Sequence, residues 1–187
     1  MDKNNPMAGS MKYVAFLRGI NVGGSKPIKM EELREAFVSL GFENPRTILA
    51  SGNIVFESKR QGRPELVRKI QEGLRTRFGM DIPIVVRSLG EIESLFDTRP
   101  FEGVEITQQT RLYVTFLGEE NAIEPGVPRT SPEDGFVILR ASESEVFSVL
   151  RLSPGRSTTD LMDFLERHFG RGITTRNWNT IEKLIKV

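Results

Sequence analysis

The chain has 187 residues, of which 38% are hydrophobic and 27% charged, so we expect a folded protein of one domain or two small ones. Its formal net charge of +1 creates no field that would attract nucleic acid or a membrane surface. The lack of cysteine excludes disulfides, thiol catalysis and thiolate metal sites, and the single histidine, His168, excludes a histidine metal cluster. Composition alone still allows a carboxylate site for magnesium.

The amino-terminal stretch 1–10 is polar and lacks the hydrophobic core of a signal peptide, so we expect it to be a disordered tail. No apolar run approaches the roughly 20 residues that a membrane span requires. We therefore expect no membrane association and a cytoplasmic location.

The first half of the chain alternates strands and helices in the order β-α-β-β-α-β. Apolar and β-branched runs predict strands, and apolar residues at helical spacing predict helices. The predicted strands are 12–17, 46–50, 53–58 and 82–87, and the predicted helices are 28–40 and 64–78. Ser51-Gly52 suits a tight hairpin between the two central strands. This order is that of a ferredoxin-like unit.

The second half repeats the opening strand. Tyr13-Val14-Ala15-Phe16-Leu17 returns one hundred residues later as Tyr113-Val114-Thr115-Phe116-Leu117, with four of five residues identical. Strands at 136–140, 145–150 and 173–174 and a helix at 159–169 follow in the same order. Pro125, Pro128 and Pro132 favour an irregular crossover where the first helix of this half would lie.

We therefore predict an α+β fold with two ferredoxin-like (βαββαβ) subdomains as an internal repeat. The second subdomain has a reduced first helix and an added C-terminal helix over 177–186. The predicted organisation is a tail at 1–10, a first subdomain at 11–88, a linker with a short helix at 89–109 and a second subdomain at 110–187.

A glycine-rich loop follows the first strand and contains Arg18, Gly19, Gly23 and Gly24. Gly19 and Gly24 have the spacing G-x-x-x-x-G, but the following Ser25-Lys26 reverses the order of a phosphate loop, and G-x-G-x-x-G is absent. A looser anion site remains, in which backbone N–H groups and the Arg18 guanidinium meet a ligand. The alternative is a tight turn whose glycines supply positive φ.

The predicted topology places this loop at the same end of the sheet as the hairpin between the two central strands. The side chains of Asn21, Ser51 and Asn53 would then converge beside Arg18. Asparagine in such places binds a ligand or satisfies the backbone of a turn, and both readings stay open.

The stretch 174–180 is the second unusual cluster. Thr175 is a candidate N-cap for the last helix, and Trp178 is expected to anchor that helix in the core. Arg176, placed in the first helical turn, faces a pocket or forms an ion pair between the two halves.

Several motifs together carry a resemblance to a known family. They are Phe16-Leu17-Arg18-Gly19-Ile20-Asn21-Val22-Gly23-Gly24, Leu40-Gly41-Phe42, Ser51-Gly52-Asn53 and Thr175-Arg176-Asn177-Trp178-Asn179-Thr180. The chain resembles the bacterial domain-of-unknown-function family 1697 from Tyr13 to Leu184. The resemblance implies a cytoplasmic bacterial α+β protein and brings no catalytic residues. Two stretches depart from the family pattern: Ile48-Leu49-Ala50, where a tyrosine is common, and Thr158-Thr159, where Lys-Leu is common.

The leading functional hypothesis is binding of a small anionic, phosphorylated or nucleotide-like ligand at the glycine loop, and whether the protein is an enzyme stays open. The candidate ligand-binding residues are Arg18, Gly19, Asn21, Gly23, Gly24, Ser51, Asn53 and Arg176. We predict no metal and no cofactor, and we make no prediction of the oligomeric state. The alternative is an RNA-binding or protein-interaction module without catalysis, although the lack of a basic stripe disfavours nucleic acid.

Overall fold

The computed structural model describes residues 9–21, 27–118, 135–154 and 158–187. The chain divides into two compact units, one containing Met1–Glu93 and Leu184–Val187 and the other Ser94–Lys183. Each unit contains a four-stranded antiparallel sheet with helices. The predicted α+β fold with two ferredoxin-like subdomains is confirmed, whereas the finer domain boundaries stay predictions.

The first unit has the sheet order β2-β3-β1-β4. Its elements are β1 (Ser10–Leu17), α1 (Met30–Ser39), β2 (Glu43–Ile48), β3 (Asn53–Lys59), α2 (Arg63–Phe78) and β4 (Ile84–Ser88), followed by α3 (Leu89–Asp97). Both long helices end at glycines in left-handed backbone, Gly41 with φ 79° and Gly79 with φ 70°, as their sequence positions predict.

The second unit has the equivalent sheet order β6-β7-β5-β8. Its elements are β5 (Thr110–Leu117), β6 (Phe136–Ala141), β7 (Glu145–Arg151), α4 (Thr158–Phe169), β8 (Ile173–Asn177) and α5 (Trp178–Leu184). The irregular crossover predicted in place of a full first helix falls on 121–134, which lies outside the described residues.

Two local predictions were wrong. The hairpin loop covers four residues, 49–52, because Ile48 rather than Ala50 is the last residue of β2 and pairs with Asn53. Thr175 does not cap the last helix, because it lies in β8 opposite Thr115. The backbone N–H of Asn179 instead donates to Oδ1 of Asn177, at 3.0 Å.

The first core lies between the helices and one face of the sheet. Tyr13, Ala15 and Leu17 of β1 pack there with Leu33 of α1 and Ile70 of α2. The alternate residues of β1, Val14 and Phe16, are also completely buried. An apolar strand with no wet face is therefore buried on both faces, as its sequence predicts.

The strand registers repeat a pattern across both sheets. In the first sheet, paired positions run from Arg46 through Val55 and Val14 to Arg87. In the second, they run from Arg140 through Phe147 and Val114 to Arg176. Directly paired residues share a face of the sheet. Each sheet thus has a row of four paired residues, with an arginine on each outer strand and apolar residues on the two central strands.

Candidate functional site

Arg18 lies at one end of the first sheet, immediately after β1. The backbone N–H of Arg18 donates to the carbonyl of Pro83, at 2.9 Å, and the N–H of Leu17 donates to that of Gly52, at 2.8 Å. These bonds fix the start of the glycine loop between the hairpin and the segment before β4. The Arg18 side chain is half-buried.

Asn21 connects the described residues on either side of the segment 22–26. Its Nδ2 donates to the carbonyls of Ile28, at 3.0 Å, and Ala50, at 3.1 Å. The N–H of Ile28 donates to its Oδ1, at 2.8 Å. Asn21 has a φ of 59°, a left-handed conformation that asparagine tolerates better than most residues. One side chain therefore joins both ends of the loop to the β2–β3 hairpin.

Asn53 and Ser51 stabilise the hairpin. Nδ2 of the fully buried Asn53 donates to the carbonyl of Ile48, at 2.9 Å, and to Oγ of Ser51, at 3.0 Å. An asparagine amide has two N–H donors, so both donors of Asn21 and both of Asn53 are used within the fold. The predicted convergence of the loop and the hairpin is observed, and the amides chiefly serve the backbone.

The glycines have different surroundings. Gly52 has a φ of 77°, and a Cβ at this position would lie 2.8 Å from the side chain of Ile20, so close packing requires glycine there. Gly19 has a φ of 70°, is exposed, and would place a Cβ in open space. Within the described part of the glycine loop, the backbone of Gly19 is therefore open to approach by a ligand. Gly23 and Gly24 lie outside the described residues.

Arg176 belongs to the second unit, and its predicted position in the first turn of the last helix was wrong because it lies in β8. Its Nη1 donates to Oγ1 of Thr174, at 2.7 Å, and to the carbonyl of Thr175, at 2.9 Å. Burial lowers the pKa of Arg176 to about 10, so the guanidinium still carries its charge at neutral pH.

Sequence reasoning missed Arg87, which is only 2% exposed and occupies in β4 the position that Arg176 occupies in β8. Nη1 of Arg87 donates to the carbonyl of the preceding Val86, at 2.9 Å, as Nη1 of Arg176 does to that of Thr175. The sequence offers no common signal for the two arginines, because Arg87 follows two valines whereas Arg176 follows two threonines.

The described ranges contain neither a candidate metal cluster nor a candidate membrane helix. No group of three or more histidine, aspartate or glutamate side chains is placed to hold a metal ion there. In the same part of the chain, no helix has the length and apolar character to cross a membrane.

The structure thus describes an α+β protein with two units of ferredoxin-like strand order. In the first unit, the start of the glycine loop is fixed at one end of the sheet. Residues 11–138 match the model of a family described as a protein of unknown function, DUF1697. The chain therefore belongs to the DUF1697 family.

Comparison with individual proteins supports the fold and gives no information on function. No curated protein sequence matches the chain. Among solved structures, the chain is similar to a conserved bacterial protein from Streptococcus pneumoniae, with 23% identity and a TM-score of 0.70. The match covers 95% of this chain and 98% of the other.

Proposed function

We propose that this chain is a cytoplasmic bacterial protein that binds a small anionic or phosphorylated ligand at the glycine loop after β1. Arg18 supplies the positive charge, and the backbone around Gly19 supplies N–H donors. The other ligand-binding residues that we propose in the first unit are Gly23, Gly24 and Ser51. Asn21 and Asn53 hold the loop and the hairpin in place.

The observation that carries this proposal is the anchoring of the loop by Asn21. Its three hydrogen bonds tie the residues on both sides of 22–27 to each other and to the hairpin. Binding residues whose backbone is already fixed by such hydrogen bonds lose less conformational entropy when a ligand binds, so more of the contact energy becomes affinity.

Arg18 suits an oxyanion for a second reason. Its guanidinium has five N–H donors in a planar fork that can bind two oxygens of a phosphate or carboxylate at once. Its backbone is fixed at the end of a buried strand, while its side chain is half-exposed.

The alternative, an RNA-binding module, receives no support from the first sheet. Binding of single-stranded RNA on a ferredoxin-like sheet requires exposed aromatic residues on the central strands. Phe16 of β1 and Phe56 of β3 are both completely buried, and Val55 is 4% exposed. We therefore retain small-ligand binding as the proposed function.

The experiment is a titration of the 15N-labelled protein with inorganic phosphate, pyrophosphate and adenosine monophosphate. We expect the Gly19 amide signal to shift and the unfolding temperature to rise, since a ligand at 100 times its Kd adds about 2.7 kcal/mol to the free energy of unfolding. Arg18→Gln should abolish both effects while leaving the unliganded protein folded.

The matched control is Arg68→Gln, which removes the same charge from an exposed position on α2. It should bind as the unmodified protein does. The proposal fails if none of the three probes shifts the Gly19 amide, or if Arg18→Gln and Arg68→Gln bind equally well.

A further inference from the structure

A cavity of about 220 Å³ lies at the opposite end of the first sheet from the glycine loop. It is lined by residues from the start of β1, the segment between β3 and α2, and the junction of β4 with α3. These include Tyr13, Arg60, Arg63 and Glu91. None of them belongs to the proposed glycine-loop site.

Two of the charges that line the cavity neutralise each other. Nη2 of Arg63 forms an ion pair with Oε1 of Glu91. Oε2 of Glu91 accepts hydrogen bonds from the backbone N–H of Ser88, at 2.8 Å, and from its hydroxyl, at 2.7 Å. Burial raises the pKa of Glu91, but these hydrogen bonds and the charges of Arg63 and Arg87 outweigh it and lower the pKa overall. Glu91 is therefore ionised at neutral pH.

Arg60 supplies the remaining positive charge. Its backbone N–H donates to the carbonyl of Gly9, at 3.3 Å, which fixes the position of the residue. Its exposed side chain makes no hydrogen bond or ion pair within the part of the chain that the structure describes. The three charged side chains of the cavity thus leave an excess of one positive charge.

The hydroxyl of Tyr13, which also lines the cavity, makes only weak hydrogen bonds within the protein. The residue is only 6% exposed, and its ring stacks on that of Phe56 with centroids 5.7 Å apart. The hydroxyl donates to Sδ of Met11, at 3.8 Å, and accepts from the N–H of Gln61, at 3.4 Å. A thioether is a weak acceptor, so an oxygen in the cavity would receive a stronger hydrogen bond from this phenol.

Charge and size select the occupant. A monocarboxylate balances the single excess positive charge, whereas a phosphate dianion would bring a second negative charge near Glu91. Met11 and Val86 provide an apolar lining suited to a short alkyl group. The volume is below the 300–1,000 Å³ that is typical of drug-sized ligands.

We propose that this cavity is a second binding site, specific for a small monocarboxylate with a short apolar tail. Arg60 binds the carboxylate, Tyr13 donates a hydrogen bond to it, and the tail packs against Met11 and Val86. The site is independent of the glycine loop, so either proposal can fail while the other holds.

The test is a titration of the 15N-labelled protein with sodium propionate at pH 8, where inorganic phosphate, the competing probe, is mainly a dianion. It is followed at the amides of Gln61 and Ser88. We expect propionate to shift both amides and phosphate to bind at least tenfold more weakly at these positions. Tyr13→Phe should weaken propionate binding about tenfold or more, the effect of losing a hydrogen bond to a charged group. Arg60→Gln should abolish it.

The repeat offers a matched control, since Tyr113 occupies in β5 the place of Tyr13 in β1. Tyr113→Phe and Arg18→Gln should leave propionate binding unchanged. The proposal is overturned if propionate shifts neither amide, if phosphate binds as tightly, or if Tyr13→Phe and Tyr113→Phe bind propionate equally. If Tyr13→Phe does not fold, Arg60→Gln decides the question, because Arg60 is exposed and removing its charge leaves the core intact.

Discussion

At the scale of single residues, Asn21 combines a structural role with a position at the candidate site. The sequence suggested two roles for an asparagine in this loop, binding a ligand or satisfying the backbone. Its three hydrogen bonds to the backbone assign it the second role. The sequence could not choose between them, because the partners at Ile28 and Ala50 become neighbours only after the chain has folded.

Asn21→Asp isolates this role. Aspartate tolerates the same left-handed backbone and keeps an acceptor for the Ile28 N–H, but it cannot donate to the carbonyls of Ile28 and Ala50. We expect a loss of about 1–3 kcal/mol in the free energy of unfolding, measured with urea at neutral pH. We also expect faster hydrogen exchange of the Ile28 amide.

The control for this prediction is Asn44→Asp. Asn44 is exposed and left-handed like Asn21, with a φ of 50°, but its amide donates to a side chain, the carboxylate of Glu57, and not to the backbone. The comparison is made in 1 M salt, which screens the repulsion between the new aspartate and Glu57. Replacement of Asn44 should cost much less stability than that of Asn21. Equal losses would show that the Asn21 amide does not hold the loop.

At the scale of elements, α3 shows how a local motif begins a helix. Ser88 and Glu91 form a reciprocal capping box: the Glu91 N–H donates to Oγ of Ser88, at 3.2 Å, and the Glu91 carboxylate accepts from the Ser88 N–H, at 2.8 Å. The spacing Ser-x-x-Glu was available in the sequence. Sequence analysis predicted the helix without recognising its cap.

Glu91→Gln keeps an acceptor for the Ser88 N–H but removes the charge that pairs with Arg63, so its effect on stability should depend on pH. The pKa of Glu91 lies below 4.5 in the folded protein, so its carboxylate stabilises the fold above the unfolded pKa and this stabilisation is lost as pH falls. We expect Glu91→Gln to lower the free energy of unfolding at pH 7. The difference from the unmodified protein should shrink below about pH 4.5. Urea unfolding at pH 7, 5 and 3 measures it.

Glu93→Gln is the matched control, since Glu93 is exposed on the same helix. If both substitutions cost the same at pH 7, the effect comes from the charge of the helix and not from the cap at Glu91.

The helix ends at Gly41 and Gly79 were predictable because the signal is local: glycine adopts the left-handed backbone that ends a helix. The errors at Thr175 and in the hairpin have the opposite cause. Thr174 and Thr175 continue β8 because they pair with Phe116 and Thr115 of β5. Such pairing depends on residues about 60 positions away and overrides local capping preference.

At the scale of the whole molecule, Trp178 joins distant parts of the second unit. Its ring centroid lies 4.7 Å from that of Phe96, 5.2 Å from that of Phe101 and 6.3 Å from that of Phe147. The residue is 8% exposed, in agreement with its expected role as an anchor of the last helix. The sequence predicted the burial but not these three partners.

Trp178→Ala should cost about 3–5 kcal/mol in the free energy of unfolding, the usual range for a buried tryptophan. Trp178→Phe keeps an aromatic ring and should cost clearly less. Both values come from urea titrations monitored by circular dichroism, since the substitutions remove the single tryptophan. A loss below about 1 kcal/mol for Trp178→Ala would contradict its role as an anchor.

The internal repeat was predictable because four of the five residues from Tyr13 to Leu17 in β1 recur at the equivalent positions of β5. Arg87 could not be found in the same way. Its importance depends on strand register, which places it opposite Val14 just as Arg176 lies opposite Val114. Register is a property of the folded sheet, and a single sequence does not reveal it.

The matching arginine rows have a consequence for ancestry. We infer that tandem duplication of one ancestral module produced both units, and that selection kept the strand positions while the connections diverged. The segment after the opening strand differs between the copies: one continues Arg18-Gly19-Ile20-Asn21, the other Gly118-Glu119-Glu120-Asn121. Duplication leaves one copy free to maintain the scaffold while the other specialises. Among relatives of this chain, the loop after the first strand should therefore resist change more than its counterpart after the fifth.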